Sequence, residues 1–106
     1  MKIRLTYKDE TYILEFTRRS VQTMEKQGFK IDGLDEAPIS TCSDLFAGAF
    51  LANHRLVKRS LIDEIFEAQN AKGALLKKLT EMYMETYSFL ADTAEDTADN
   101  PTWTIA

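Results

Sequence analysis

Polar and apolar residues alternate from the first positions of the chain. Ile3, Leu5 and Tyr7 fall on one face, with Lys2, Arg4 and Thr6 opposite. Tyr12, Leu14 and Phe16 repeat the pattern against Ile13 and Glu15. A period of two marks a half-buried strand, and the polar stretch Lys8-Asp9-Glu10-Thr11 between the runs reads as a four-residue turn. The spacing therefore predicts a β-hairpin with one buried face. A lone hairpin is marginal in water, so this one has to lean on helices.

The period then changes. Thr17 is a natural N-cap for a helix to Gln27, with Val21 and Met24 on its apolar stripe and Gly28 placed to end it. Phe29, Ile31 and Leu34 interleave with polar residues, which predicts a short extended segment, a candidate third strand. Pro38 to His54, PISTCSDLFAGAFLANH, reads as one helix, capped by Ser40 or Thr41 and apolar around most of its circumference. Such a helix is buried, and Ala47-Gly48-Ala49 gives it a small-residue face that another element can approach closely. The other elements are expected to pack around it.

Arg55 to Arg59 forms a basic connector. Ser60 with Asp63 opens a helix that buries Leu61, Ile62, Ile65 and Phe66, and Asn70 to Gly73 breaks it. Ala74 to Leu90 carries the longest helical stripe, with Leu75, Leu76, Leu79, Met82, Tyr83, Thr86, Phe89 and Leu90 on one side. From Ala91 the periodicity stops, and a small, acidic, Pro101-broken stretch follows. The expected fold is α+β: a hairpin on a bundle of about four helices in one domain, residues 1–91, then a mobile acidic tail, residues 92–106.

Composition adds boundaries. At 106 residues the chain holds one domain, and 44% hydrophobic with 28% charged residues is ordinary for a globular protein. The longest apolar run, LFAGAFLA, is far short of a membrane span, so no membrane association is expected. The charged start does not resemble a signal peptide, and the single Cys42 fits a reducing compartment, so the cytoplasm is the expected location. The net charge of −4 is uneven: Asp92, Glu95, Asp96 and Asp99 lie in a final stretch without Lys or Arg, and the rest balances at 13 basic against 13 acidic residues.

Candidate chemistry is sparse. On one helix Cys42 and His54 would stand about 18 Å apart, whereas a nucleophile and its base need about 3 Å. One Cys and one His do not make a metal site, and no glycine-rich phosphate loop is present. The carboxylate pairs Asp9/Glu10, Asp35/Glu36 and Asp63/Glu64 suit turns and first helical turns. Neither catalysis nor a cofactor or metal is expected. The basic groups Arg18/Arg19, Arg55/Lys58/Arg59 and Lys77/Lys78 sit among acids in a neutral body, which argues against nucleic acid. The His54–Arg59 cluster could instead receive an acidic protein segment, from its own tail or another subunit's. Trp103 is out of place in the tail, and Thr102-Trp103-Thr104-Ile105 has the β propensity to add a strand to the hairpin's open edge. The alternative is a frayed terminus. The candidate partner-binding residues are thus Arg55, Lys58, Arg59, Trp103 and Ile105.

The order of segments carries a resemblance. YKDETYILEF is followed by FTRRSVQTMEKQGF, the LFAGAF helix with its basic successor, IDEIFE, LLKKLTEMY and an acidic tail ending NPTWTI. This resembles a small family of proteins from tailed bacteriophages and prophages of Gram-positive bacteria, similar to products of the tail-morphogenesis region where tail assembly chaperones are expected. The resemblance implies a non-catalytic protein of the host cytoplasm that binds the tape measure protein or tail subunits during long-tail assembly, with homo-oligomers compatible. The rival readings are a structural virion component, such as a head–tail connector or tail-completion protein, and a nucleic-acid-binding regulator.

Overall fold

Strands β1 (Ile3–Tyr7) and β2 (Glu10–Leu14) pair antiparallel with Ile3 opposite Leu14 and Tyr7 opposite Glu10. The structure is a computed structural model that describes the backbone of residues 1–96 and the side chains of residues 1–88. The hairpin turn is tighter than its polar sequence suggests. Only Lys8 and Asp9 lie outside the strands, with φ of 48° and 67°, the paired positive φ of a type I′ turn that matches the twist of the strands. Glu10 and Thr11 belong to β2 rather than to a four-residue turn. Leu5, Tyr12, Leu14 and Phe16 are buried, as the alternation requires.

Helix α1 (Arg18–Lys26) is closed at both ends by its own sequence. Thr17 accepts from Ser20 N–H at 3.1 Å and Ser20 Oγ accepts from Thr17 N–H at 2.8 Å, a reciprocal cap. At the other end Gly28 takes φ 92°, its N–H reaches Glu25 O at 3.0 Å, and Phe29 N–H reaches Met24 O at 2.9 Å. That is a Schellman ending, and both Met24 and Phe29 are buried behind it.

The candidate third strand is not one. Among the described residues the sheet has two strands, and residues 30–37 coil through bonds from Gly33 N–H to Lys30 O, Leu34 N–H to Ile31 O and Asp35 N–H to Asp32 O into the short helix α2 (Gly33–Glu36). Ile31 and Leu34 are three residues apart, a spacing that serves a turn as well as the alternation serves a strand. The helices therefore number five rather than four.

Helix α3 (Pro38–Gly48) is central, as the apolar run implies. Leu45, Phe46 and Ala49 are fully buried and Phe50 is 1% exposed. Its small face is used: a Cβ on Gly48 would collide with the side chain of Met24, so α1 and α3 touch where only glycine fits. Two expectations fail here. The N-cap is Ala37, with no side-chain bond, and Thr41 is buried inside the helix. The helix also ends at Gly48 instead of His54. Phe50 N–H and Leu51 N–H turn back three residues, to Ala47 O and Gly48 O, and the Ala49 carbonyl accepts from Glu15 N–H of the hairpin at 3.1 Å. A bond to the hairpin has displaced the next helical turn.

Helix α4 (Arg59–Ala68) starts at Arg59, inside the expected connector, with Lys58 at the N-cap and no cap from Ser60. It buries Ile62 and Ile65, and its last carbonyls are covered by Lys72, whose Nζ donates to Glu67 O at 3.0 Å and Gln69 O at 2.9 Å. After Ala71 at φ 53°, helix α5 (Lys72–Asp96) runs for 25 residues. Leu79, Met82 and Tyr83 are buried along it. Tyr83 meets the rings of Phe16 and Phe29 edge-on at 5.5 and 5.3 Å, tying both ends of α1 to α5. Burial, then Glu25 and Tyr87, push its phenol pKa up. The helix continues past Ala91, so residues 92–96, expected in the tail, are helical. Residues 97–106, with Trp103 and Ile105, lie outside the described residues, as do the side chains of Phe89 and Leu90.

Candidate functional site

The open edge of β2 is covered by the segment that follows α3. Ile13 N–H donates to His54 Nε2 at 2.9 Å, Asn53 Nδ2 donates to Ile13 O at 3.2 Å and to Glu15 Oε1 at 2.9 Å, and Glu15 N–H donates to Ala49 O. Residues 49–54 thus stand where a third strand would pair. His54 packs its ring edge-on against Tyr12 at 5.3 Å, and accepting through Nε2 places its single neutral proton on Nδ1. The lone histidine is therefore a fastener rather than a helix-end residue. Its acceptor nitrogen is occupied, and Cys42, half-buried on α3, belongs to a different element. Strand addition by a segment such as Thr102–Ile105 is left with the edge of β1.

The basic cluster of residues 55–59 is split by the fold. Arg59 is already paired: Nη2 lies 2.9 Å from Asp44 and Nε 2.9 Å from Asp63. Partial burial pulls its pKa down, but the hydrogen bonds to Asp63 and Asp44 outweigh this and leave it raised, so Arg59 is a clasp between α3 and α4. Lys58 is exposed at the start of α4. Arg55 is exposed and turns to a neighbour that the linear sequence does not suggest, Arg19 of α1. The two line one polar groove with Thr23, Gln27 and Asn53, and neither makes an ion pair among the described residues. Leu56 beside them is 97% exposed.

Gln27 and Leu51 also line a second, half-open cavity of about 320 Å³ walled by Met24, Phe29, Ala47, Gly48, Val57 and Ile62. The two cavities share these residues and form one continuous groove along α1, apolar at one end and bearing Arg19 and Arg55 at the other. A concave apolar site with a few convergent polar groups is the common form of a binding site. Reasoning from sequence placed Arg55 correctly on the surface but missed Arg19, Leu51 and Val57, because the groove forms only when residues 51–57 fold back over α1.

At the far side of the molecule the hairpin turn rests on α4. Tyr7 donates its hydroxyl to Glu64 Oε2 at 2.7 Å and Lys8 Nζ stands 3.6 Å from the same carboxylate. The Tyr7 hydrogen bond, then Lys8, hold the Glu64 carboxyl below the ordinary range, and the same hydrogen bond raises the Tyr7 phenol. Among the described residues no group of three or more His, Cys, Asp or Glu side chains could hold a metal ion, and no helix is long and apolar enough to cross a membrane.

The sequence pattern of the DUF5055 family, described as a domain of unknown function, matches residues 1–106, and the chain belongs to that family. No curated protein and no solved structure matches it.

Proposed function

We propose that the chain works by binding protein rather than by catalysis, as an adaptor of the tail-assembly-chaperone kind. It holds a helical segment of a tape measure protein, or of a tail subunit, during long-tail morphogenesis in a bacterial cytoplasm. The observation that carries the binding reading is the groove along α1, where a half-open apolar cavity of about 320 Å³ runs into a polar end bearing Arg19 and Arg55. An amphipathic helix lays apolar side chains into such a groove and offers its carboxylates to the rim. The tail-assembly context is supported by the order of sequence segments. The non-catalytic reading is supported by His54, whose acceptor nitrogen is engaged by Ile13.

The test is co-expression with a tape measure protein. The expected result is copurification that Val57→Glu, which puts a carboxylate in the cavity wall, weakens at least tenfold, with circular dichroism retained. Failure of the wild-type chain to retain the tape measure protein or any tail subunit would overturn the reading. Recovery of the chain in finished virions would favour a structural component instead.

A further inference from the structure

The groove and the acidic end of the chain have matching patterns. The groove is cationic at Arg19 and Arg55 and apolar around Met24, Phe29 and Val57. The chain beyond α5 is acidic first, through Asp99, then apolar at Trp103 and Ile105, and residues 92–106 contain no Lys or Arg. The spacings agree as well. Arg19 and Gln27 are eight residues apart on α1 and its C-cap, about 12 Å along the axis. Asp99 and Trp103 are four residues apart, about 13 Å when extended.

The reach is sufficient within one molecule. Thr86 of α5 donates its hydroxyl to Phe16 O at 3.3 Å, which sets α5 beside the start of α1. Asp96 lies ten residues further on, about 15 Å along the helix. The seven residues from there to Trp103 span up to about 24 Å, enough to return to the groove. We propose that the segment Asp99–Ile105 docks in the groove of its own molecule, Asp99 at Arg19 and Arg55 and Trp103 in the apolar cavity. It covers the surface until a partner displaces it. This rests on reading the groove as the partner-binding surface, and its test needs no partner.

Trp103 is the only tryptophan, so its fluorescence reports the segment directly. In the folded full-length chain its emission should lie at shorter wavelength than in the urea-unfolded chain, and should not change with protein concentration. Arg19→Glu with Arg55→Glu, both exposed positions, should return the emission to the unfolded wavelength while circular dichroism is retained. Adding Asp99→Arg to that pair should restore the shorter wavelength. Emission of the folded wild type at the unfolded wavelength would overturn the proposal, as would a short-wavelength emission indifferent to the charge reversals. A short-wavelength emission lost on dilution would assign the groove to a second copy's segment and overturn docking within one molecule. Partner capture with an undocked Trp103 would reject this inference alone, and a docked Trp103 without partner capture would reject the adaptor reading alone.

Discussion

Residues 49–54 and residues 55–58 are neighbours in sequence and opposites in role. The first six bury Ala49 and Phe50, give the Ala49 carbonyl to Glu15, and set Asn53 and His54 against the backbone of Ile13. The next four put Arg55 and Leu56 into water and Val57 into the wall of a groove. The difference shows how a small domain without a third strand closes its sheet: a loop supplies the edge bonds, and its continuation is then held over α1, where it forms one side of a binding surface. Stability sits in the first stretch and recognition in the second.

That division can be broken by mutation. Phe50→Ala, in the stable half, should cost about 3–5 kcal/mol in urea unfolding, since Phe50 is 1% exposed and packs on Phe46 and Tyr12. A loss below about 1 kcal/mol would show that the segment is not part of the core. His54→Ala should cost about 1–3 kcal/mol, because it leaves the Ile13 N–H without its acceptor. In the recognition half, Arg55→Ala should change stability by less than about 0.5 kcal/mol and show its effect only in partner capture. A larger loss of stability would mean that Arg55 holds the fold.

The smallest effect concerns a region outside both halves. Glu64 has its carboxyl held low by Tyr7 and Lys8, so its folded pKa lies below the unfolded one. Its contribution is present above the ordinary carboxylate range near 4 and disappears as pH falls through the folded pKa. Because Glu64 is exposed, the increment is small and fades with salt. Glu64→Gln should lower the urea midpoint slightly at pH 7 in low salt and leave it unchanged below pH ~3. An equal shift at both pH values would rule out the charge as its source.

Much of the fold is legible in the sequence because it is written locally. The alternation of Ile3, Leu5, Tyr12 and Leu14 gives the hairpin and its buried face. Thr17 and Gly28 give both ends of α1, and Leu45, Phe46 and Phe50 mark the centre of the core. The errors fall where a distant partner decides. The helix over Pro38–His54 is cut at Gly48 by a bond to Glu15, which no helical periodicity reveals. Phe29, Ile31 and Leu34 fit a strand and a turn equally, and α3 settles the matter by packing against Gly33, where an added Cβ would meet Thr41 Oγ1. The candidate site was less legible. Arg59 reads as a free cation until Asp44, fifteen residues away, is brought to it, and Arg55 acquires Arg19 as a neighbour only in three dimensions.

Amide hydrogen exchange on the isolated protein addresses the central claim most directly. If residues 49–54 close the sheet, the Ile13 and Glu15 amides, at the outer edge of a two-stranded hairpin, should exchange slowly while the Arg55 and Leu56 amides exchange fast. Fast exchange at Ile13 and Glu15 would contradict the account, because those two N–H groups would then be open to water and nothing would fix the segment over α1.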